Sequence, residues 1–422
     1  MTAADEIVAL IDRDELVEFA LEICNIDSSV GFETEVAEHL HGWMAREGFA
    51  PRKVGMLADR FNLLGRLPGT GGGYSLLFNG HMDTYSAREF DGVQLDPGRD
   101  ELHKAWIEDD LLIGDGIVND KGPVAAFLIA AKAIKASGHQ LKGDLILTTV
   151  VAETDHESAD ETPGIEVGTK EIGARYLVTH GGIADYALVV EGTGFAPVWV
   201  EAGKAWFNVT LISEGPALYT PYVPDRTTPA KSPNMLVAAS AAIEALETWA
   251  ADYQIRNTYK CAGGIVIPKV NLGAIRGGDP TRPILSSQLC SLYLDVRTNP
   301  YQDPLQVRDE IRAVLDGIGL GHDVDLYSYR RGYEAENIDR LADAVVRSYR
   351  AHFDSDPPPV SPPTSSMWRD ANFFNEVGIP SMSFGPRSAT HAVKRSLTIE
   401  SLYEAACLYA RIAVDICDQE KG

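Results

Sequence analysis

The sequence predicts an α/β protein: a main domain built on a mostly parallel sheet, with a smaller α+β domain inserted into it. Three observations carry this expectation. Short apolar runs alternate with helix-length segments over much of the chain, as a parallel sheet covered on both faces requires. That texture breaks near Gly203 and returns after Gly332. A chain of 422 residues is also too long for one ordinary core. The main domain is assigned to residues 1–203 and 333–422, and the insert to 204–332.

Each element follows from a local pattern. From Glu6 to Glu47 the apolar positions recur at helical spacing, as in Leu16-Val17-Glu18-Phe19-Ala20-Leu21. Asn62–Gly65 and Ser75–Phe78 read as short strands separated by the turn Gly71-Gly72-Gly73. Val124–Ile134, rich in alanine, reads as a buried helix with Pro123 in its first turn, where proline is tolerated. Leu145–Val151 and Ala187–Val190 read as buried strands. Trp206–Ile212 alternates, as a half-exposed antiparallel strand does, and a proline-rich loop follows. Then come a helix from Asn234 to Ala251, strands at Gly264–Ile267 and Leu289–Val296, a helix from Pro304 to Leu315 and a strand at Asp323–Tyr329. This order suggests an insert with one exposed sheet face. A helix at Ile338–Phe353, a strand at Ile379–Phe384 and a helix at Ile399–Ile416 return to the α/β texture.

Composition narrows the function classes. Lys and Arg number 37 against 61 Asp and Glu, a formal net charge of −24. Such a chain repels nucleic acid and anionic membranes unless it carries a basic patch, and the basic residues are dispersed. No nucleic-acid or membrane partner is therefore expected, and the acidity reads mainly as solubility. No segment is long and apolar enough to span a bilayer, and Met1-Thr2-Ala3-Ala4-Asp5-Glu6 lacks the features of a signal peptide. The five cysteines are scattered and odd in number, which argues for a reducing cytoplasm.

The most informative stretch is Leu76-Leu77-Phe78-Asn79-Gly80-His81-Met82-Asp83-Thr84. An apolar strand ends in glycine, and His81 and Asp83 follow at the carboxyl end, where open α/β sheets place their ligands. His81 offers an imidazole to a metal, and Asp83 is close enough in sequence to hold the other ring nitrogen. Asp120 follows the glycine-rich turn Gly114-Asp115-Gly116; its plainer reading is a helix cap. Val150-Val151-Ala152 runs into Glu153, Thr154, Asp155, His156 and Glu157. Glu191 follows Val189-Val190, and His391 follows Ser383-Phe384-Gly385-Pro386. Ligand-type side chains thus follow five apolar strands. Converging on one rim, they make a mixed imidazole and carboxylate site suited to zinc, with manganese or cobalt as substitutes.

The order and surroundings of these pieces resemble the metallopeptidase family of aminoacylases, acetylornithine deacetylases, succinyl-diaminopimelate desuccinylases and glutamate carboxypeptidases. The resemblance spans almost the whole chain. It rests most on Gly80-His81-Met82-Asp83-Thr84, on Gly114-Asp115-Gly116 through Asp120-Lys121-Gly122, and on Phe384-Gly385-Pro386 through His391. It implies a catalytic domain with an inserted lid that also dimerises. It implies His81, Asp120 and Glu191 as ligands of a divalent metal, one or two per chain, with Asp120 shared and His391 on the second metal. Asp83 becomes the partner of His81.

Two positions depart from that family's pattern. Its paired glutamates, a general base and a ligand, correspond here to Glu153 and Thr154, and a threonine hydroxyl is a poor zinc ligand. Asp155, His156 or Glu157 could substitute if the loop bulges, and the sequence does not choose among them. Its lid histidine, which binds the developing oxyanion, corresponds here to Tyr219 in Gly215-Pro216-Ala217-Leu218-Tyr219-Thr220.

The resulting expectation is a metal-dependent hydrolase of a C–N bond in a small carboxylate-bearing molecule, of the N-acyl amino acid deacylase or dipeptidase type. The ion lowers the pKa of a bound water, and Glu153 accepts its proton and passes it to the leaving nitrogen. The plainer reading of Glu153 is a solvated carboxylate at a strand end. Arg369 is read either as a bidentate contact for a substrate carboxylate or as a surface ion pair. Two alternatives stand beside the first: hydrolytic deamination of an electron-poor aromatic amine such as a nitro-substituted aminobenzoate, and an inactive binding protein on the same scaffold.

Overall fold

The computed structural model describes residues 2–84, 104–154, 170–225, 227–390 and 395–421. Its central sheet has six strands in the order Arg52–Val54, Asn62–Leu67, Leu145–Val150, Leu76–His81, Tyr186–Val189, Ser381–Ser383. The last four run parallel to one another. The first two pair antiparallel at one edge. The sheet is thus mostly parallel, as the alternation of apolar runs and helices predicts.

The strands Leu76–His81, Leu145–Val150 and Tyr186–Val189 are buried along their whole length, which is why they read as unbroken apolar runs. Helix Lys121–Ala136 packs on one face of the sheet together with the C-terminal helix Ile399–Cys417. Phe78 stacks on Phe127 at 5.7 Å and meets Tyr409 at 5.5 Å, joining strand to both helices. The expected N-terminal helical stretch is three helices, Ala3–Val8, Arg13–Cys24 and Thr34–Arg46. Asp12 caps the second by accepting from the N–H groups of Asp14 and Glu15.

Between Gly203 and Arg330 lies a separate four-stranded antiparallel sheet, ordered Val270–Gly277, Leu289–Thr298, Gly203–Ile212, His322–Arg330. Phe207, Val209, Leu292, Leu294 and Val324 point to one face, where helices Met235–Asn257 and Pro304–Gly317 cover them. Trp206, Asn208, Thr210 and Tyr293 alternate with them and are only half-buried. The period-2 pattern of Trp206–Ile212 has this cause. A third small sheet, Ser388–Thr390, Arg395–Thr398, Leu111–Ile113, Trp106–Glu108, was not anticipated. Its strands are too short to show a period.

All five cysteines are free. No helix among the described residues is long and apolar enough to cross a membrane.

Candidate metal centre

The site forms where three neighbouring parallel strands end. His81 is the last residue of the central one. Glu153 lies just beyond Leu145–Val150 on one side, and Glu191 just beyond Tyr186–Val189 on the other. Parallel strands put their carboxyl ends on one rim, so residues far apart in sequence meet there. One ligand atom from each of His81, Glu153 and Glu191 lies within 4.8 Å of the others, and all three residues are buried.

Asp120 arrives by another route. The strand before it, Leu111–Ile113, belongs to the third sheet, and the short helix Asp115–Val118 intervenes. The expectation that each ligand-type residue follows a strand of one sheet therefore fails for Asp120. It stands at the N-cap position of helix Lys121–Ala136, yet its side chain makes no capping hydrogen bond. Instead Oδ2 accepts from the N–H of His81 at 3.3 Å, and the buried Oδ1 has no hydrogen-bond partner among the described residues. Gly80 permits this approach: a Cβ there would lie 2.7 Å from Asp120 Oδ2 and 2.6 Å from Val124. Burial first, and then repulsion from Glu191, pushes the Asp120 carboxyl well above its ordinary range.

Asp83 supports His81 differently from the expected carboxylate contact. Nδ1 of His81 lies 2.8 Å from the main-chain oxygen of Asp83 and 3.6 Å from its carboxylate. The carboxylate accepts from the N–H groups of Glu153 at 3.0 Å and Thr154 at 2.7 Å. Asp83 therefore ties two strand ends together, and its negative charge still faces the ring. Ala152, at φ 57°, turns the chain between the strand and these two donors. The Nε2 of His81 is buried without a hydrogen-bond partner among the described residues. Burial opposes a charge on this ring, but Asp83, Glu153 and Asp120 outweigh it and raise its pKa well above the ordinary value.

Glu153 is not a solvated carboxylate. Its Oε1 accepts from Lys170 Nζ at 2.7 Å, and its Oε2 lies 4.0 Å from His81 Nε2. Lys170 is placed by Asn62, whose amide donates to the carbonyl of Ile172 at 2.8 Å and accepts from Val151 N–H at 3.1 Å. The ammonium of Lys170 sits 4.5 Å over the ring of Trp368, which also receives Lys204 at 5.6 Å and Arg330 at 6.0 Å. Lys204 and Arg330 are partners across two strands of the inserted sheet, so that sheet begins beside Glu153. Asp370 completes the surroundings. Its carboxylate accepts from Asn79 at 3.1 Å, and burial followed by repulsion from Glu153 raises it to about 7.

Arg369 fits neither expected role. It is 3% exposed, and Nη1 donates to Glu201 Oε1 at 3.0 Å and to the carbonyl of Thr364 at 2.8 Å. Its Nε lies 3.5 Å from Glu191 Oε2. The carboxylate it grips is the protein's own. Tyr219 lies elsewhere in the chain: it is half-exposed, bridges to Leu285 and stands 6.3 Å from the ring of Tyr222. His391 and residues Asp155, His156 and Glu157 lie outside the described residues. Lys170, Glu201 and Trp368 were not singled out from sequence, because each looks there like an ordinary residue.

The donor set fits a divalent cation. It combines one imidazole and buried carboxylates, with two buried ligand atoms, His81 Nε2 and Asp120 Oδ1, that have no hydrogen-bond partner among the described residues.

Comparison with known proteins agrees with this geometry. The chain is 23% identical over 439 aligned positions to the N-formyl-4-amino-5-aminomethyl-2-methylpyrimidine deformylase of Bacillus subtilis, covering 97% of this chain and 96% of that protein. It is 23% identical to the succinyl-diaminopimelate desuccinylase of Stenotrophomonas maltophilia, covering 80% and 82%. A tripeptidase from Staphylococcus aureus superposes with a TM-score of 0.70 at 19% identity, covering 97% of this chain and all of that one. A dinuclear metal-binding peptidase from Bacillus subtilis superposes at 0.63 with 14% identity, covering 96% and 98%. Residues 77–415 match the model for peptidase family M20/M25/M40, and that span takes in His81, Asp120, Glu153 and Glu191 together with the whole inserted sheet. With its rim of imidazole and carboxylates and its inserted antiparallel sheet, the chain belongs to peptidase family M20/M25/M40, whose named relatives here are hydrolases of C–N bonds.

Proposed function

We propose that this protein is a divalent-metal-dependent hydrolase that cleaves an amide or peptide bond in a small, carboxylate-bearing molecule. The observation that carries the reading is the buried His81–Glu153–Glu191 cluster with the unsatisfied Asp120 Oδ1 beside it. His81, Asp120 and Glu191 hold the ion, zinc or manganese, with His391 as the candidate for a second one. The ion supplies a Lewis acid and makes a water acidic near neutral pH.

The protein's own residues do the rest. Lys170 occupies Glu153 Oε1 and leaves Oε2 facing the cluster. Oε2 takes a proton from the attacking water and returns it to the leaving nitrogen. Asp83 fixes the His81 ring and, through the Glu153 and Thr154 N–H groups, the position of the base. The low exposure of Lys170, Trp368 and Arg369 keeps bulk water from the back of the site, which strengthens each charge interaction there.

Residues 1–203 and 333–422 form the catalytic unit in this reading, and 204–332 a lid that also mediates a homodimer. The free cysteines support a cytoplasmic location. Deamination of an aromatic amine and an inactive scaffold are not favoured, since the relatives are named for deformylation, desuccinylation and peptide cleavage.

Metal analysis of the purified chain, with a panel of N-acyl amino acids, dipeptides and aminobenzoates, tests the proposal. Metal-dependent release of an acyl group or amino acid is expected. Turnover confined to aminobenzoates, or turnover indifferent to a chelator, would refute it.

A further inference from the structure

Glu191, Arg369, Glu201 and Ser383 form a buried chain of contacts behind the metal centre. Glu201 is 2% exposed and Arg369 is 3% exposed. Glu201 Oε1 accepts from Arg369 Nη1 at 3.0 Å and from Ser383 Oγ at 2.7 Å. Arg369 Nη2 faces Met367 Sδ at 3.1 Å. Arg369 Nε stands 3.5 Å from Glu191 Oε2 without a formed hydrogen bond, and it has no hydrogen-bond partner among the described residues. Glu201 lies two residues before the strand Gly203–Ile212, and Ser383 ends the sheet strand next to that of Glu191. The arginine is therefore anchored from two sides before it reaches Glu191.

A guanidinium beside a metal ligand is unexpected on charge alone, since it repels the incoming cation. Two features remove the difficulty. Glu201 takes the strong, bonded contact, so Arg369 and Glu201 together are close to neutral. Only the weaker contact is left for Glu191. At 3.5 Å it is close enough to fix the rotamer of the carboxylate, yet it leaves the oxygen free to donate. Metal ligands are ordinarily oriented by such neighbours, and loss of one typically weakens metal binding by about 10–100-fold.

We propose that Arg369, held by Glu201, is a positioning residue that fixes the Glu191 carboxylate for metal binding. The inference rests on the reading of Glu191 as a metal ligand, and the experiment separates the two.

The full chain is stripped with a chelator and titrated with zinc against a chromophoric competitor, and circular dichroism reports the fold. Arg369→Met alone strands Glu201 as an unpaired buried anion and destabilises the protein, so the informative variant is R369M/E201M, which removes both charges. R369Q/E201Q makes the same test if the methionine pair fails to fold. The expected result is a folded variant with the parent's zinc stoichiometry and an affinity about 10–100-fold lower. A merely structural role would shift the apo protein's unfolding temperature and leave zinc affinity alone. E191Q is the control. If E191Q binds zinc like the parent, the ligand reading falls and the inference with it. If E191Q loses zinc while the double variant binds as the parent does, the inference alone is overturned.

Discussion

Lys170 Nζ lies 2.7 Å from Glu153 Oε1, inside a site where both side chains are almost wholly buried. One oxygen of the candidate base is thereby committed to a fixed cation, and the other faces His81. A base held this way is aimed without waiting for substrate, which is worth a great deal where geometry decides rate. The arrangement also explains how a carboxylate so close to Asp370 remains in place: the lysine offsets the repulsion.

Glu153→Gln separates the two jobs this residue is placed to do. The amide keeps the size of the side chain and removes its basic oxygen. If Glu153 is the base, the variant keeps its metal and loses about 10²–10⁴-fold in kcat. Metal content by mass spectrometry and steady-state kinetics read the two effects independently. Loss of metal would make Glu153 a ligand, as its place in the cluster also permits. Near-normal turnover would mean that the proton goes to another group.

Asp120→Ala should remove most of the metal and essentially all of the activity. One of its oxygens accepts from the His81 main chain, and the other is buried with no hydrogen-bond partner among the described residues, which leaves it for a cation. Occupancy in the parent should nevertheless stay below the two ions of a bridged site. Thr154 offers only a hydroxyl, and its buried Oγ1 has no hydrogen-bond partner among the described residues. Thr154→Glu should raise the metal-to-chain ratio. An unchanged metal content in D120A would contradict the assignment of Asp120, and two full equivalents in the parent would contradict the expectation drawn from Thr154.

Much of the centre can be read from sequence because its pieces are local: an apolar strand with a ligand-type residue at its carboxyl end, after Gly80 at Phe78–His81 and directly after Val190 at Val189–Glu191. What surrounds the ligands is not local. Lys170 reaches Glu153 from a short helix whose last carbonyl, that of Ile172, is held by Asn62, more than a hundred positions away. Arg369 looks exposed beside Asp370 in sequence, and only the fold shows both to be buried, the arginine facing Glu201. Spacing suggests Asp83 beside His81, but it does not say that the main-chain oxygen makes the bond while the carboxylate stands at 3.6 Å. The inserted sheet is legible from its alternation. The third sheet is hidden, because three-residue strands carry no period.

Asp83 should leave a signature in acid unfolding of the metal-free protein. Burial would raise its carboxyl, but His81 and the Glu153 and Thr154 N–H groups overcome that and hold it at about 2, below the ordinary 3.8. A folded-state pKa below the unfolded one contributes stability that is complete above about pH 4 and is lost as pH falls through about 2. The shift corresponds to about 2 kcal/mol. Asp83→Asn should therefore be less stable than the parent near neutral pH, and the gap should narrow steadily below about pH 4. Urea unfolding across that range measures it. A gap that stays constant on acidification would show that the ionised carboxylate contributes nothing.

The inserted sheet should pair two copies of the chain. Its edge strand Val270–Gly277 is largely exposed, and Ile275 is 53% exposed within it. Ile284 and Leu289, both more than half exposed, add apolar surface to the same sheet and the loop beside it. An unpaired edge flanked by apolar side chains is a template for a second strand. Tyr219 belongs to this surface, since its backbone bridges to Leu285 and the next residue bonds to Ile284. Within one chain it remains at the surface of the insert, away from the metal centre, so a role in catalysis requires the partner's copy to carry it to the centre. Tyr219→Phe should then slow turnover by roughly 10²-fold, the typical effect of removing one donor to a developing oxyanion, with metal content unchanged. Mixing Y219F with a metal-site variant such as D120A should restore part of the activity, because mixed dimers rebuild one complete site. Light scattering at assay concentration tests the dimer. A monomer with full activity, or a phenylalanine variant indistinguishable from the parent, would overturn the respective half of the claim.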